Sequence, residues 1–64
     1  MELIRNEWIS NNGKYKVVAR KFEDGSIDHG CFIKNKQGKY RVARNKNLPQ
    51  YVKNKMNEML KEVN

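Results

Sequence analysis

Three glycine-closed dipeptides, Asn12-Gly13, Asp24-Gly25 and Gln37-Gly38, cut the first three-quarters of the chain into segments of strand length. Asn-Gly and Asp-Gly are the pairs that a two-residue type I′ hairpin requires, because both central residues take positive φ. The segments between them are rich in aromatic and β-branched residues, so strands are expected at about 3–10, 14–22, 27–35 and 39–45. Consecutive strands joined by tight turns form an antiparallel meander.

The remaining stretch has a different period. Leu48, Val52, Met56, Met59, Leu60 and Val63 recur at helical spacing with Tyr51 on their flank, while Lys53, Asn54, Asn57, Glu58 and Lys61 fill the rest of the wheel. Asn47 reads as an N-cap, Pro49 suits the first turn, and Gln50, three residues after the cap, resembles a capping box. An amphipathic helix over about 48–63 is therefore expected to cover one face of the sheet. The expected fold class is α+β, an antiparallel three- to four-stranded meander with one C-terminal helix packed on one sheet face, and residues 1–64 read as a single small basic domain.

Loop parity decides which side chains meet the helix. A two-residue loop at Asp24-Gly25 sets Phe22 opposite Ile27 and Val18 opposite Cys31, and an even loop at Gln37-Gly38 adds Tyr40 and Val42 to that side. The expected core is then Val18, Phe22, Ile27, Cys31, Ile33, Tyr40 and Val42 against the helix stripe. The other side would carry Tyr15, Val17, Ala19 and Lys21, then Phe32 and Lys34, then Lys39, Arg41 and Ala43, with Trp8 opposite Val17. An odd third loop would exchange the fourth-strand residues between faces.

The charge is distributed unevenly. Fourteen Lys and Arg oppose seven Asp and Glu, and no acid lies between Asp28 and Glu58, where Lys34, Lys36, Lys39, Arg41, Arg44, Lys46, Lys53 and Lys55 fall. Self-repulsion of eight cations opposes a compact state, so a polyanionic partner is implied, and nucleic acid is the commonest. An A+T-rich genome offers a rival source for the ten Lys and nine Asn, but it would also have raised Glu, which is absent from 29–57. On the expected open face, Lys21, Lys34, Lys39 and Arg41 would contact phosphates, Tyr15, Phe32 and Trp8 would offer stacking surfaces, and Lys36 at a loop tip would track the backbone. Arg41 is the candidate for reading a base edge. DNA is favoured over RNA as the partner.

A meander closed by a C-terminal helix is similar in outline to the sheet-plus-helix DNA-binding domains of plant ethylene-response factors and of tyrosine-recombinase arm-binding domains. The small basic chromatin proteins of thermophilic archaea share the outline, and their ending resembles the Asn47-Leu48-Pro49 opening and Met59-Leu60 close found here. The likeness is one of topology and common residue types, and it assigns no family.

Enzymatic chemistry finds little support. Sixty-four residues bury only roughly 60% of the unfolded surface, which leaves little room for a deep catalytic pocket. One Cys and one His make no metal site, so no metal or cofactor is expected, and Cys31 beside His29 reads as a small core hydrophobe rather than a nucleophile. A lone Cys fits a reducing interior, the first twenty residues lack an apolar run of signal-peptide length, and no stretch reaches a membrane span. A cytoplasmic, non-enzymatic protein is expected. The alternative is a protein-interaction module of phage or mobile-element type, a regulator or inhibitor docking on an acidic partner surface through Trp8, Tyr15 and Phe32.

Overall fold

The computed structural model describes residues 1–64, the side chain of Asn45 apart. Four antiparallel strands, β1 (Glu2–Ile9), β2 (Tyr15–Phe22), β3 (Ile27–Lys34) and β4 (Tyr40–Val42), form one open sheet in chain order. A short 3-10 turn at Asn45–Asn47 leads to α1 (Gln50–Val63), which packs mainly across β2 and also touches β3 and β1. The architecture is the α+β meander-plus-helix expected of the sequence. It leaves one sheet face without a covering layer.

The loops depart from expectation, and the faces change with them. At Asp24-Gly25 the backbone closes as a three-residue loop, with Gly25 N–H donating to Phe22 O at 3.0 Å and Phe22 N–H to Ser26 O at 2.9 Å. Gly25 alone carries positive φ, +87°, so the type I′ geometry needing two such residues is not formed. Asp24 Oδ1 stabilises the alternative by accepting from Ser26 N–H at 2.9 Å and Ser26 Oγ–H at 2.6 Å. At Gln37-Gly38 the same device recurs: Gly38 has φ +82°, and Asn35 Oδ1 accepts from the N–H groups of Gln37 and Lys39. Odd loops exchange the faces of β2 and β4 relative to β3.

Val17 therefore pairs with Cys31, Ala19 with His29, Ile33 with Arg41 and Phe32 with Val42. The buried cluster under the helix is Val17, Ala19, Cys31, Leu48, Val52, Met56, Met59 and Val63, flanked by Trp8, Tyr15, Ile27, Ile33, Ala43 and Leu60. Val18, Phe22, Tyr40 and Val42, expected in that core, lie on the open face instead. The first loop keeps even parity, so Trp8 does face Val17, but β2 carries both residues to the helix side.

The helix entrance also differs. Asn47 closes the 3-10 turn by donating its N–H to Arg44 O at 2.9 Å, and Pro49 takes the N-cap position with no side-chain cap. The residue before a proline is held extended, which turns Leu48 out of the helix and into the core at 6% exposure. Its anchoring role survives outside the helical stripe.

Replacing Gly25 by Val tests the loop directly. A β-branched residue held at φ +87° costs about 1–2 kcal/mol, and in a domain this small each 1 kcal/mol lowers Tm by roughly 4–8 °C. Thermal denaturation followed by circular dichroism should show that loss.

Candidate nucleic-acid interface

The residues expected to form a single basic and aromatic face are divided between two. Tyr15 and Trp8 lie on the helix side, where the Tyr51 ring stands edge-on to both, at centroid distances of 6.1 and 6.4 Å. They are committed to packing the first turn of α1. Lys21 faces Ile27 and Ile4 on that same side. Phe32 and Lys34 remain on the open face, as expected. Arg41, opposite Ile33, emerges exposed at the β4 edge, and Lys36 lies in the exposed loop that Lys39 closes.

The centre of the open face is electrostatically self-contained. Arg20 grips Asp28 across the β2–β3 pair in a two-pronged contact, Nε to Oδ1 at 2.8 Å and Nη2 to Oδ2 at 2.6 Å, and this raises the guanidinium pKa further. Glu7 meets Lys16 at 3.2 Å and Arg5 at 3.6 Å, and Lys16 foremost, with Arg5 behind it, holds the Glu7 carboxyl below its usual range. Beneath these side chains Val18 is buried although no helix covers it, because the stems of long cations can shield apolar surface. Gly30 has no Cβ to obstruct the Phe32 ring, two of whose carbons would lie only 3.2 Å from one.

Uncompensated cations lie elsewhere. The β1–β2 and β3–β4 turns are at one end of the sheet, where Lys34 N–H donates to Lys14 O at 2.8 Å, so Lys14, Lys34, Lys36 and Lys39 gather there. Arg41, Arg44 and Lys46 continue along and beyond the β4 edge. Among the described residues, none of these seven enters an ion pair. Glu23 and Asp24 occupy the opposite end, where Glu23 N–H donates to Met1 O beside Glu2. Lys21 on β2 and Lys53 and Lys61 on α1 enter no ion pair among the described residues either, so this end is marked by the density of its free cations and its lack of acids.

No family model, curated protein or solved structure matches this chain. What its surface can bind follows from the chemistry of its own residues.

Tyr40 organises the basic end. Its hydroxyl donates to Gly13 O at 2.7 Å, tying the β3–β4 hairpin to the β1–β2 turn. The ammonium groups of Lys16 and Lys34 lie 5.7 and 5.9 Å from the centre of its ring, within cation–π range. An even third loop, as expected from the sequence, puts Tyr40 in the core; the odd loop that forms carries it to the open face. Asn35 contributes as well, since its two backbone contacts fix the loop that presents Lys36 and Lys39.

No group of three or more potential metal-ligating side chains is found among the described residues, and no helix is long and apolar enough to cross a membrane. Cys31 is 5% exposed, its Sγ–H points to Met56 Sδ at 3.4 Å, and burial pushes the thiol pKa up. Native protein should consequently react with a thiol reagent only as fast as the fold opens, whereas urea-unfolded chain reacts at once. Rapid labelling of the folded protein would place Cys31 outside the core.

Proposed function

We propose that this chain is a small non-enzymatic nucleic-acid-binding module, which meets a phosphate backbone with the acid-free end of its sheet and the β4 edge. The supporting observation is the concentration of unpaired cations there, most of them on the acid-free stretch of chain between Asp28 and Glu58. Arg5, Lys16 and Arg20 already have carboxylate partners, while Lys14, Lys34, Lys36, Lys39, Arg41, Arg44 and Lys46 have none among the described residues. A phosphate approaching the paired set must compete with a carboxylate; one approaching the free set relieves repulsion among like charges.

Within this surface Lys36, Lys39 and Arg41 make the leading phosphate contacts, and Lys14 and Lys34 extend the track across the turn end. Arg41 adds a guanidinium fork capable of bidentate contact with phosphate or a guanine edge. Phe32, half-buried over Gly30 and paired with Val42 of β4, offers a ring for a base on the open face. DNA is the favoured partner, and RNA competes for the same cations.

Fluorescence anisotropy with duplex DNA, single-stranded DNA and RNA tests this reading. Lys39→Glu combined with Arg41→Glu should weaken binding at least about tenfold more than Lys61→Glu on the helix, because each reversal replaces an attraction to phosphate with a repulsion. Equal weakening would mean that the surface is misplaced. Failure of all three nucleic acids to bind at low salt would remove the function itself.

A second reading, docking on an acidic protein surface, draws on Val42, which is 81% exposed opposite Phe32. The pair would form an apolar anchor that the same free cations steer toward its partner. Binding that survives removal of the cations but not Val42→Asp would select this alternative.

A further inference from the structure

The β1 edge is long, unpaired and rich in exposed apolar side chains. Leu3, Ile4 and Ile9 are 58, 40 and 52% exposed, on a strand of eight residues with no neighbour on its outer side. Such an edge is a template for another strand unless its side chains forbid pairing. Here their order specifies one partner.

We infer that β1 pairs antiparallel with β1 of a second copy about a two-fold axis at Asn6, joining two four-stranded sheets into one. Backbone phase comes first. Ser10 N–H bonds to Tyr15 O, so the alternation of an antiparallel ladder turns the polar groups of Trp8, Asn6 and Ile4 toward β2 and those of Arg5, Glu7 and Ile9 outward. With the axis at Asn6, Arg5 stands opposite the partner's Glu7, and each such pair can exchange both of its N–H···O bonds.

Side-chain order then selects this register over its neighbours. Arg5 and Glu7 lie on the same face of β1, so the axis at Asn6 creates two opposite-charge pairs across the junction. Trp8 meets the partner's Ile4, covering that exposed side chain, while Leu3, at the irregularity that shifts the β1 register between Glu2 and Ile4, lies beyond the regular ladder of Ile4–Ile9. Moving the axis to Arg5 sets arginine against arginine; moving it to Glu7 sets glutamate against glutamate. A slip of one residue would turn the two copies' side chains to opposite faces.

The helices leave room for this union. Each α1 packs mainly over its own β2, and β2 lies three strand spacings from the partner's β2, about 14 Å, against a helix diameter of about 10–12 Å. Beside the axis, a groove of about 340 Å³ runs between β1 and α1, lined by Asn6, Trp8, Lys55, Met59 and Glu62 among others. The two-fold operation brings this groove against its own copy, with Lys55 and Glu62 presented to complementary charge. Both β4 edges remain free at the outer ends of the joined sheet, so this dimer stands or falls independently of the proposed nucleic-acid contact.

Sedimentation equilibrium of the whole chain should show a monomer–dimer equilibrium with Kd on the order of 10 μM, as expected for a modest interface. Arg5→Glu and Glu7→Lys should each give monomers, because each sets like charges across the axis. Mixing the two variants should restore dimers, since every junction pair becomes complementary. Asn6→Cys changes no charge and places two thiols at a non-hydrogen-bonded pair, about 4.5 Å between Cα atoms, within disulfide range. Oxidation should cross-link it, while buried Cys31 stays out of reach. A wild-type protein that remains monomeric, dimers that persist in both charge reversals, or an Asn6→Cys protein that dimerises without cross-linking would each overturn the inference.

Discussion

Val17→Asp is expected to leave the chain unfolded at room temperature. Val17 is fully buried between Trp8 on one neighbouring strand and Cys31 on the other, beneath the helix cluster of Val52, Met56 and Met59. At roughly 0.05–0.15 kcal/mol per residue, a chain of this length has a total stability of about 3–10 kcal/mol. Removing the apolar side chain forfeits about 1.5–3 kcal/mol, and an unpaired buried carboxylate adds several more. The sum is comparable to the whole stability. Val18→Thr on the open face should instead stay folded with a modest fall in Tm, because its hydroxyl can reach water between the cations. Far-UV circular dichroism with urea titration distinguishes the two outcomes. A folded Val17→Asp protein alongside an unfolded Val18→Thr would restore the even-loop register and reverse the faces of β2.

That register is where sequence and structure part. Strand order, the helix stripe and the pairing of Trp8 with Val17 were legible because turn dipeptides and periodicity encode them locally. Loop length at Asp24-Gly25 was not, since an Asp-Gly pair serves both a two-residue I′ turn and a three-residue loop ending in positive-φ glycine. Ser26 decides between them through its two contacts with Asp24, one residue beyond the dipeptide. β2 itself held a hint. Lys16 and Arg20 share a face with Val18 and Phe22, whereas Tyr15, Val17 and Ala19 share theirs with a single cation, Lys21, at the strand's far end.

The candidate site was legible in composition and obscure in place. An acid-free run from Lys34 to Lys55 is a property of the chain alone, but which cations remain free depends on cross-strand neighbours. Lys16 meets Glu7 and Arg20 meets Asp28 only because this register brings them together. Tyr15 and Trp8 left the expected stacking surface by the same exchange of faces, and Tyr40 entered the open side.

Raising salt from about 50 to 200 mM is expected to weaken duplex DNA binding roughly 500-fold, if five phosphates are neutralised with a slope near −0.9 each. Five is two fewer than the seven free cations at the turn end and β4 edge, because their separation along a strand and two loops prevents all from meeting one backbone together. Neutralising Lys39 and Arg41 as Gln should remove two phosphate contacts, flatten the slope by about 2 and shrink the salt effect to roughly 40-fold. Lys16→Gln should scarcely alter the slope, since Lys16 is already occupied by Glu7 and releases no counterion on binding. Anisotropy titrations across a salt series measure each slope directly. An unchanged slope in the Lys39 and Arg41 variant, with a flatter one in Lys16→Gln, would move the contact surface to the centre of the open face. There a phosphate would have to displace a carboxylate at a cost that the free cations of the edge avoid.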